Sequence, residues 1–219
     1  MSQAIVPHTQ TETAFWNDGY RFVAGLDEAG RGPWAGPVYA AAVILPQTGD
    51  LSTRLDGVRD SKMLSERTRE RLLGRIREIA VTVGVGWTTA AEIDEIGIVP
   101  ATHLAMKRAL DTLDPAPEAL ILDALTLPGV DLPQRGFPRA DAHSLSVAAA
   151  SVIAKVSRDR WMIDTAEVDY PGYGFARHKG YGTPQHRGAL QKLGVCAIHR
   201  RSFKPVAARL AKDTPGEQR

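Results

Sequence analysis

Four carboxylates stand where a chain rarely puts charge without compensation. Asp27 and Glu28 follow the apolar run "RFVAGL", Asp123 ends "EALILD", and Asp141 opens "DAHSLSVAAASVIAKVSRDRWM", a long run of small and apolar residues. If the strands carrying the first three lie side by side, their ends collect at one sheet edge. Two unit charges about 5 Å apart, at an effective dielectric of about 20, repel by roughly 3 kcal/mol. Four such groups either take up protons or hold divalent cations. An all-oxygen set without His or Cys suits Mg2+ or Mn2+ rather than zinc. Two such ions spanning an attacking and a leaving oxygen make a phosphoryl-transfer site. Taken singly, each acid is equally a surface carboxylate or a helix cap, so convergence is the expectation to test.

Side chains alternate along a strand, so Asp27 and Glu28 cannot both face one ion from a regular one. The strand is therefore expected to end at Glu28, where "AGRGPWAGP" (29–37) begins. Gly30-Arg31-Gly32 has two readings. It is a turn, or it is bare backbone that lets a sugar hydroxyl or phosphate approach the peptide groups. "VGVGW" (83–87) contains a GxG fragment, but no third glycine and no helix opening follow, which speaks against a dinucleotide site. The histidines form no HxxxH or HExxH pair, and those at 178, 186 and 199 either contact phosphate or cap helices. No GxSxG and no P-loop is present, against esterase and NTPase chemistry.

The elements that must position these residues are legible as periodicities. Short apolar runs over 21–27, 37–45, 81–87 and 118–123 read as strands. Leu72, Leu73, Ile76 and Ile79 recur at helical spacing within 64–80, with Ser65 placed to cap them. Helices are also expected in "TAAEIDEIG" and over 101–113. The longest is expected over 141–162, where Asp141 and Ser144 are both able to cap its start. Residues 1–17 read as a loose leader. Beyond residue 170, a Pro/Gly/Tyr-rich loop leads to two short helices near 184–193 and 203–211. Together these elements make an α/β mixed sheet flanked by helices, with a helical appendage.

The chain has 219 residues, 43% hydrophobic and 24% charged, enough for one substantial core. Cys196 is the only cysteine, which excludes an intrachain disulfide and fits a reducing compartment. The first twenty residues lack the pattern of a secretory signal, and no run approaches the ~18 apolar residues of a membrane span. A cytoplasmic location follows as the expectation. The net charge of +2 hides an asymmetry: nine Lys or Arg and no acid lie between Pro171 and Lys212, which leaves the remainder at −7. Tyr173, Phe175, Tyr181 and Phe203 interleave with those cations. The pattern suits a nucleic-acid surface, or else a solvated basic face.

"GLDEAGRGPWAGPVYAAAVIL", "RDSKMLSERTRERL", "DAHSLSVAAASVIAKVSRDR", "HKGYGT" and "HRRSF" resemble, in order, the signature blocks of bacterial ribonuclease HII. They run from about residue 23 to 205. The resemblance implies an RNase H-like fold, a five-stranded mixed sheet flanked by helices with a C-terminal helical extension. The chain is expected to divide into a leader (1–17), an RNase H-like catalytic domain (18–170), a basic extension (171–212) and a tail (213–219). It also implies hydrolysis of the phosphodiester 5′ to ribonucleotides in duplex DNA and in RNA–DNA hybrids, with Mg2+ or Mn2+ as cofactor. By position, Asp27, Glu28, Asp123 and Asp141 match the family's metal-binding carboxylates. Gly30, Arg31 and Gly32 match its reader of the 2′-hydroxyl, Tyr181 its sugar-stacking tyrosine, and Lys62 a phosphate contact. Asp159 matches a recurrent acid and is read as structural. Ala124 and Ala140 stand where glycine is usual, and Trp34 where leucine is common. The alanines are expected to need no positive φ. A monomer is expected, and the polar end "KDTPGEQR" lacks the aromatic pair of a sliding-clamp peptide.

Overall fold

The computed structural model describes residues 6–124 and 126–213. In chain order its main elements are α1 (Gln10–Asn17), β1 (Val23–Ala29), β2 (Val38–Ile44), α2 (Glu66–Ile79), β3 (Thr82–Thr88), α3 (Ala90–Ile96) and α4 (Ile98–Leu110). There follow β4 (Ala119–Asp123), β5 (Gln134–Phe137), α5 (Leu145–Trp161), α6 (Pro184–Leu193) and α7 (Lys204–Asp213). The strands form one five-stranded sheet in the order β3-β2-β1-β4-β5. β2 runs antiparallel to both its neighbours, while β1, β4 and β5 are mutually parallel. The sheet is mixed and helices flank it, as expected. β5 is the strand without a clear apolar run, because its residues are half-buried or exposed at the sheet edge.

β2, "VYAAAVI", is buried at every position because helices cover the sheet on both sides. Ala41 and Val43 face α5 and the Leu72–Leu73–Ile76 stripe of α2. Ala24, Leu26, Ala40 and Ala42 face Ala101, Ala105 and Met106 of α4. The glycines of "VGVGW" make room for that helix, since a Cβ at Gly84 or Gly86 would run into the carbonyls of Ala109 or Ala105. Likewise a Cβ at Gly25 would collide with Ser146 at the start of α5. Ser65 does cap α2, accepting from Thr68 N at 3.2 Å.

Two expectations are corrected here. The first is the loose leader, of which residues 1–5 lie outside the described residues: α1 is packed down, and Glu12 is fully buried at the start of α5. Its Oε1 accepts from Ser146 N (2.8 Å), Ser146 Oγ (2.6 Å) and Ser144 Oγ (2.7 Å). A carboxylate there meets unpaired amides and the positive end of the helix dipole, which is why the segment docks. Second, the long helix does not start at Asp141. A separate turn, Ala140–His143, precedes an extended Ser144, whose hydroxyl caps α5 through Val147 N. The C-terminal helical extension is present as expected, and it packs into the fold. Phe175, His186, His199 and Arg200 are buried, and Ala35 packs in one cluster with Met162, Ala166, Tyr173 and Phe175.

Candidate active site

β1 parts from β4 after the Leu26–Leu122 pair but stays paired with β2 through Asp27–Ala41, Glu28–Ala40 and Ala29–Tyr39. The strand therefore does not end at Glu28, contrary to expectation, and alternation holds. Asp27, opposite Ala41, points to the α5 side, where the Ser151 hydroxyl lies close enough to oppose the rise in its pKa. Glu28 points to the α4 side, where it pairs with Arg31 at 3.1 Å and its charge reaches His103. Asp27 is 6% exposed. Burial, then the neighbouring Glu28 and Asp141 charges, hold its carboxyl well above the usual carboxylate range.

Asp141 lies in the turn before α5, also buried. Burial, with Asp60 and Asp123 nearby, raises its pKa. Asp123 ends β4, and its Oδ1 accepts from Ala140 N at 2.9 Å, which ties β4 to the turn carrying Asp141. The next residue, Ala124, has φ +53°, so the expectation that alanine marks ordinary backbone fails there. Ala140 has no positive φ, although Arg139 before it does, at +61°. Partial desolvation disfavours the charge on Lys62, an exposed side chain, and Asp60, Asp27, Asp141 and Glu28 together outweigh it and raise its pKa. All four expected carboxylates thus act electrostatically on one neighbourhood. Among the described residues no three acid, His or Cys side chains close into a ready-made metal cage. The donor set still fits a divalent cation: it is all oxygen, and the buried Asp27 carboxylate is destabilised by its own neighbours.

Sequence reasoning missed Asp60 and Ser151. Ser151, beside Asp27, donates to Ser61 Oγ at 2.8 Å and so ties α5 to the loop bearing Lys62. Asp159 holds the same loop in place, paired with Lys155 (2.7 Å) and with Arg69 (3.5 Å), which in turn donates to the Ser61 and Leu64 carbonyls.

Beside the acids lies the glycine loop. Gly30 is buried with φ +96°, and a Cβ there would run into Arg158. Gly32 is exposed, and a Cβ on it would come no nearer than 4.0 Å to any neighbour, the nearest being Tyr181 Cε1. Tyr181 is 43% exposed, with Lys155 Nζ 5.9 Å and Arg158 Cζ 6.0 Å from its ring centre. Its backbone is held by the histidines. The Tyr181 carbonyl can only accept, so His186 Nδ1 donates to it at 3.0 Å, and His186 Nε2 then accepts from His199 Nε2 at 3.0 Å. His199 Nδ1 accepts from Cys196 N, and His178 stacks on His186 at 4.4 Å. Burial pushes His186 and His199 down to about 4. These rings are neutral, buried supports rather than phosphate contacts.

A family model for ribonuclease HII matches residues 24–206. The chain belongs to the ribonuclease HII family. It is 53% identical over 197 residues to the ribonuclease HII of Geobacillus thermodenitrificans, covering 89% of this chain and 73% of that one. The structure is similar to the crystal structure of ribonuclease H2 from Pyrococcus horikoshii, with a TM-score of 0.72 at 29% identity over 87% of this chain and 98% of that one. A Bst-RNase HIII solved in complex with Mn2+ shares the fold, with a TM-score of 0.69 at 21% identity over 94% of this chain and 75% of that one. Ribonucleases HII are metal-dependent endoribonucleases that act on RNA–DNA hybrids, and this chain is an enzyme of that kind. Among the described residues, no helix is long and apolar enough to cross a membrane.

Proposed function

We propose that this ribonuclease HII hydrolyses the phosphodiester on the 5′ side of a ribonucleotide, leaving a 3′-hydroxyl and a 5′-phosphate. A single ribonucleotide embedded in duplex DNA suffices as substrate, and RNA–DNA hybrids are cut in the same way. The observation that carries this reading is the exposed Arg31–Gly32 backbone, joined to the acidic neighbourhood through the Arg31–Glu28 pair and flanked by the Tyr181 ring. The amides of Arg31 and Gly32 have no acceptor among the described residues, and both residues are exposed. They are donors for a 2′-hydroxyl, the group that distinguishes RNA from DNA locally. Tyr181 packs on the adjacent deoxyribose, where a further hydroxyl would crowd the ring.

In this reading Asp27, Glu28, Asp123 and Asp141 hold the divalent cations, Mg2+ or Mn2+. When bound, two such ions supply activation of the attacking water and charge stabilisation on the leaving 3′-oxygen. The Mn2+ in the structure of Bst-RNase HIII supports an ion of this class. Lys62, 78% exposed by its side chain, offers an ammonium to a backbone phosphate. Asp123, bonded to Ala140 N, keeps Asp141 in register with the end of β4. The surface that Gly32 and Tyr181 make side by side sets which phosphodiester lies beside the acids.

The test is nicking of a labelled duplex containing one ribonucleotide, with and without Mg2+ or Mn2+. The expected result is one metal-dependent cut 5′ to the ribonucleotide. Equal cutting when that nucleotide is 2′-deoxy or 2′-O-methyl would rule the reading out.

A further inference from the structure

Two arginines lie fully buried behind the glycine loop, neither within ion-pair distance of a carboxylate among the described residues. Arg200 comes from the loop before α7. Its Nη2 donates to Gly30 O (2.5 Å) and Gly36 O (2.8 Å), Nη1 to Arg31 O (2.9 Å), and Nε to Gly36 O (3.0 Å). Arg158, on α5, donates to Pro37 O (2.9 Å) and Ala35 O (3.2 Å) and lies under Tyr181. A buried guanidinium without a counter-ion is costly, and these two are close enough for Arg158 to push Arg200 down further than burial alone does, to about 9. At neutral pH both remain cationic. Packing alone would be served as well by apolar side chains.

Peptide geometry shows what the charge does. In a trans peptide, the carbonyl of one residue and the amide of the next point in opposite directions. Drawing the Gly30 and Arg31 carbonyls inward to Arg200 turns the amides of Arg31 and Gly32 away from it. Both residues are exposed, and neither amide has an acceptor among the described residues. We infer that Arg200 is a positioning residue for substrate discrimination: by clamping the Gly30 and Arg31 carbonyls it presents the Arg31 and Gly32 amides as a paired donor to the 2′-hydroxyl. The inference rests on the reading of Gly30–Gly32 given above. Lysine keeps the charge at this position but has no planar fork to serve three carbonyls at once.

The test compares the full-length enzyme with Arg200→Lys and Gly32→Ala. In Ca2+, to hold cleavage back, affinity is measured for a duplex with one ribonucleotide and for its all-deoxy twin. The wild type should favour the ribonucleotide by about tenfold or more, and Arg200→Lys should bring the ratio to about one. Affinity for the all-deoxy duplex should stay unchanged, which a general loss of structure would not allow. A wild-type ratio in Arg200→Lys, alongside a lost ratio in Gly32→Ala, overturns the role of Arg200 alone. A wild-type ratio in both variants overturns the glycine-loop reading itself. If Arg200→Lys does not fold, amide exchange in the wild type decides. Fast exchange at Arg31 and Gly32, slowed by the ribonucleotide duplex but not by the all-deoxy one, supports the inference. Amides already protected in the free enzyme overturn it, and fast amides that neither duplex slows overturn the glycine-loop reading.

Discussion

Gly32 and the Tyr181 ring are direct neighbours: a Cβ on Gly32 would lie 4.0 Å from Tyr181 Cε1, an ordinary contact, and meet nothing closer. Gly32 does not have the positive φ that would make alanine strained. Gly32→Ala should therefore fold with a melting temperature close to wild type, yet lose cleavage of a single-ribonucleotide duplex by about 100-fold or more, since the methyl occupies the substrate's space. Thermal melting and single-turnover cleavage check both halves. Wild-type turnover would show that the sugar does not pack against Gly32.

Gly30, two residues away, should behave oppositely. Its φ is +96° and a Cβ would strike Arg158. Gly30→Ala should destabilise the fold by about 2–4 kcal/mol from overpacking and left-handed strain. Urea unfolding measures it, and a change below about 0.5 kcal/mol would contradict the packing.

Asp27 carries a penalty that its substitution should release. Its pKa is raised in the fold, so its contribution to stability is complete below the ordinary carboxylate pKa and lost as pH rises through the raised value. Without divalent cations at pH 7, Asp27→Asn should stabilise the fold by about 1–3 kcal/mol while abolishing cleavage. Adding Mg2+ or Mn2+ should raise the melting temperature of the wild type and leave that of Asp27→Asn nearly unmoved. Full activity in Asp27→Asn would remove it from the site.

His186 and His199 titrate the other way. Burial depresses both to about 4 in the fold, so the stability they lend is complete above about pH 6.5 and lost as pH falls toward 4. They share a hydrogen bond and should therefore titrate as a coupled pair. Urea unfolding between pH 7 and 4 should show a loss in this window that His199→Gln reduces. An unchanged pH profile in that variant would place the acid sensitivity elsewhere.

The basic extension should be probed by charge removal, because truncation would also take Arg200 and His199 out of the fold. Arg187, Lys192, Lys204 and Lys212 are exposed. Replacing all four with Gln should weaken duplex binding and flatten its salt dependence by about 3–4 in log–log slope if each meets a phosphate. An unchanged slope would show that this face does not touch the backbone.

Much of this protein was legible in residue order. Apolar periodicity located β1, β2, β3, β4 and α2, because strand and helix repeats report directly on which face is buried. Family blocks pointed to the acids, the glycine loop and Tyr181. The docking of α1 was not legible, since Glu12 in "QTETAFWN" looks like any solvent-facing acid until Ser144 and Ser146 are brought beside it. Nor was the ending of β1, because a strand can part from one neighbour and stay paired with the other.

The sequence by itself determined the chemistry available: oxygen ligands, bare backbone, a basic C-terminal run and the strands that deliver them. These are properties of residue type and local spacing. Tertiary structure alone decided which residues have which environment. Arg200 and Arg201 are identical neighbours in "HRRSF", yet one is fully buried against the Gly30, Arg31 and Gly36 carbonyls and the other is exposed. Burial, and with it every raised or lowered pKa described above, is set by contacts between residues as far apart as Gly30 and Arg200. No local pattern encodes such contacts, because their energy exists only once the sheet, α5 and the C-terminal loop have met.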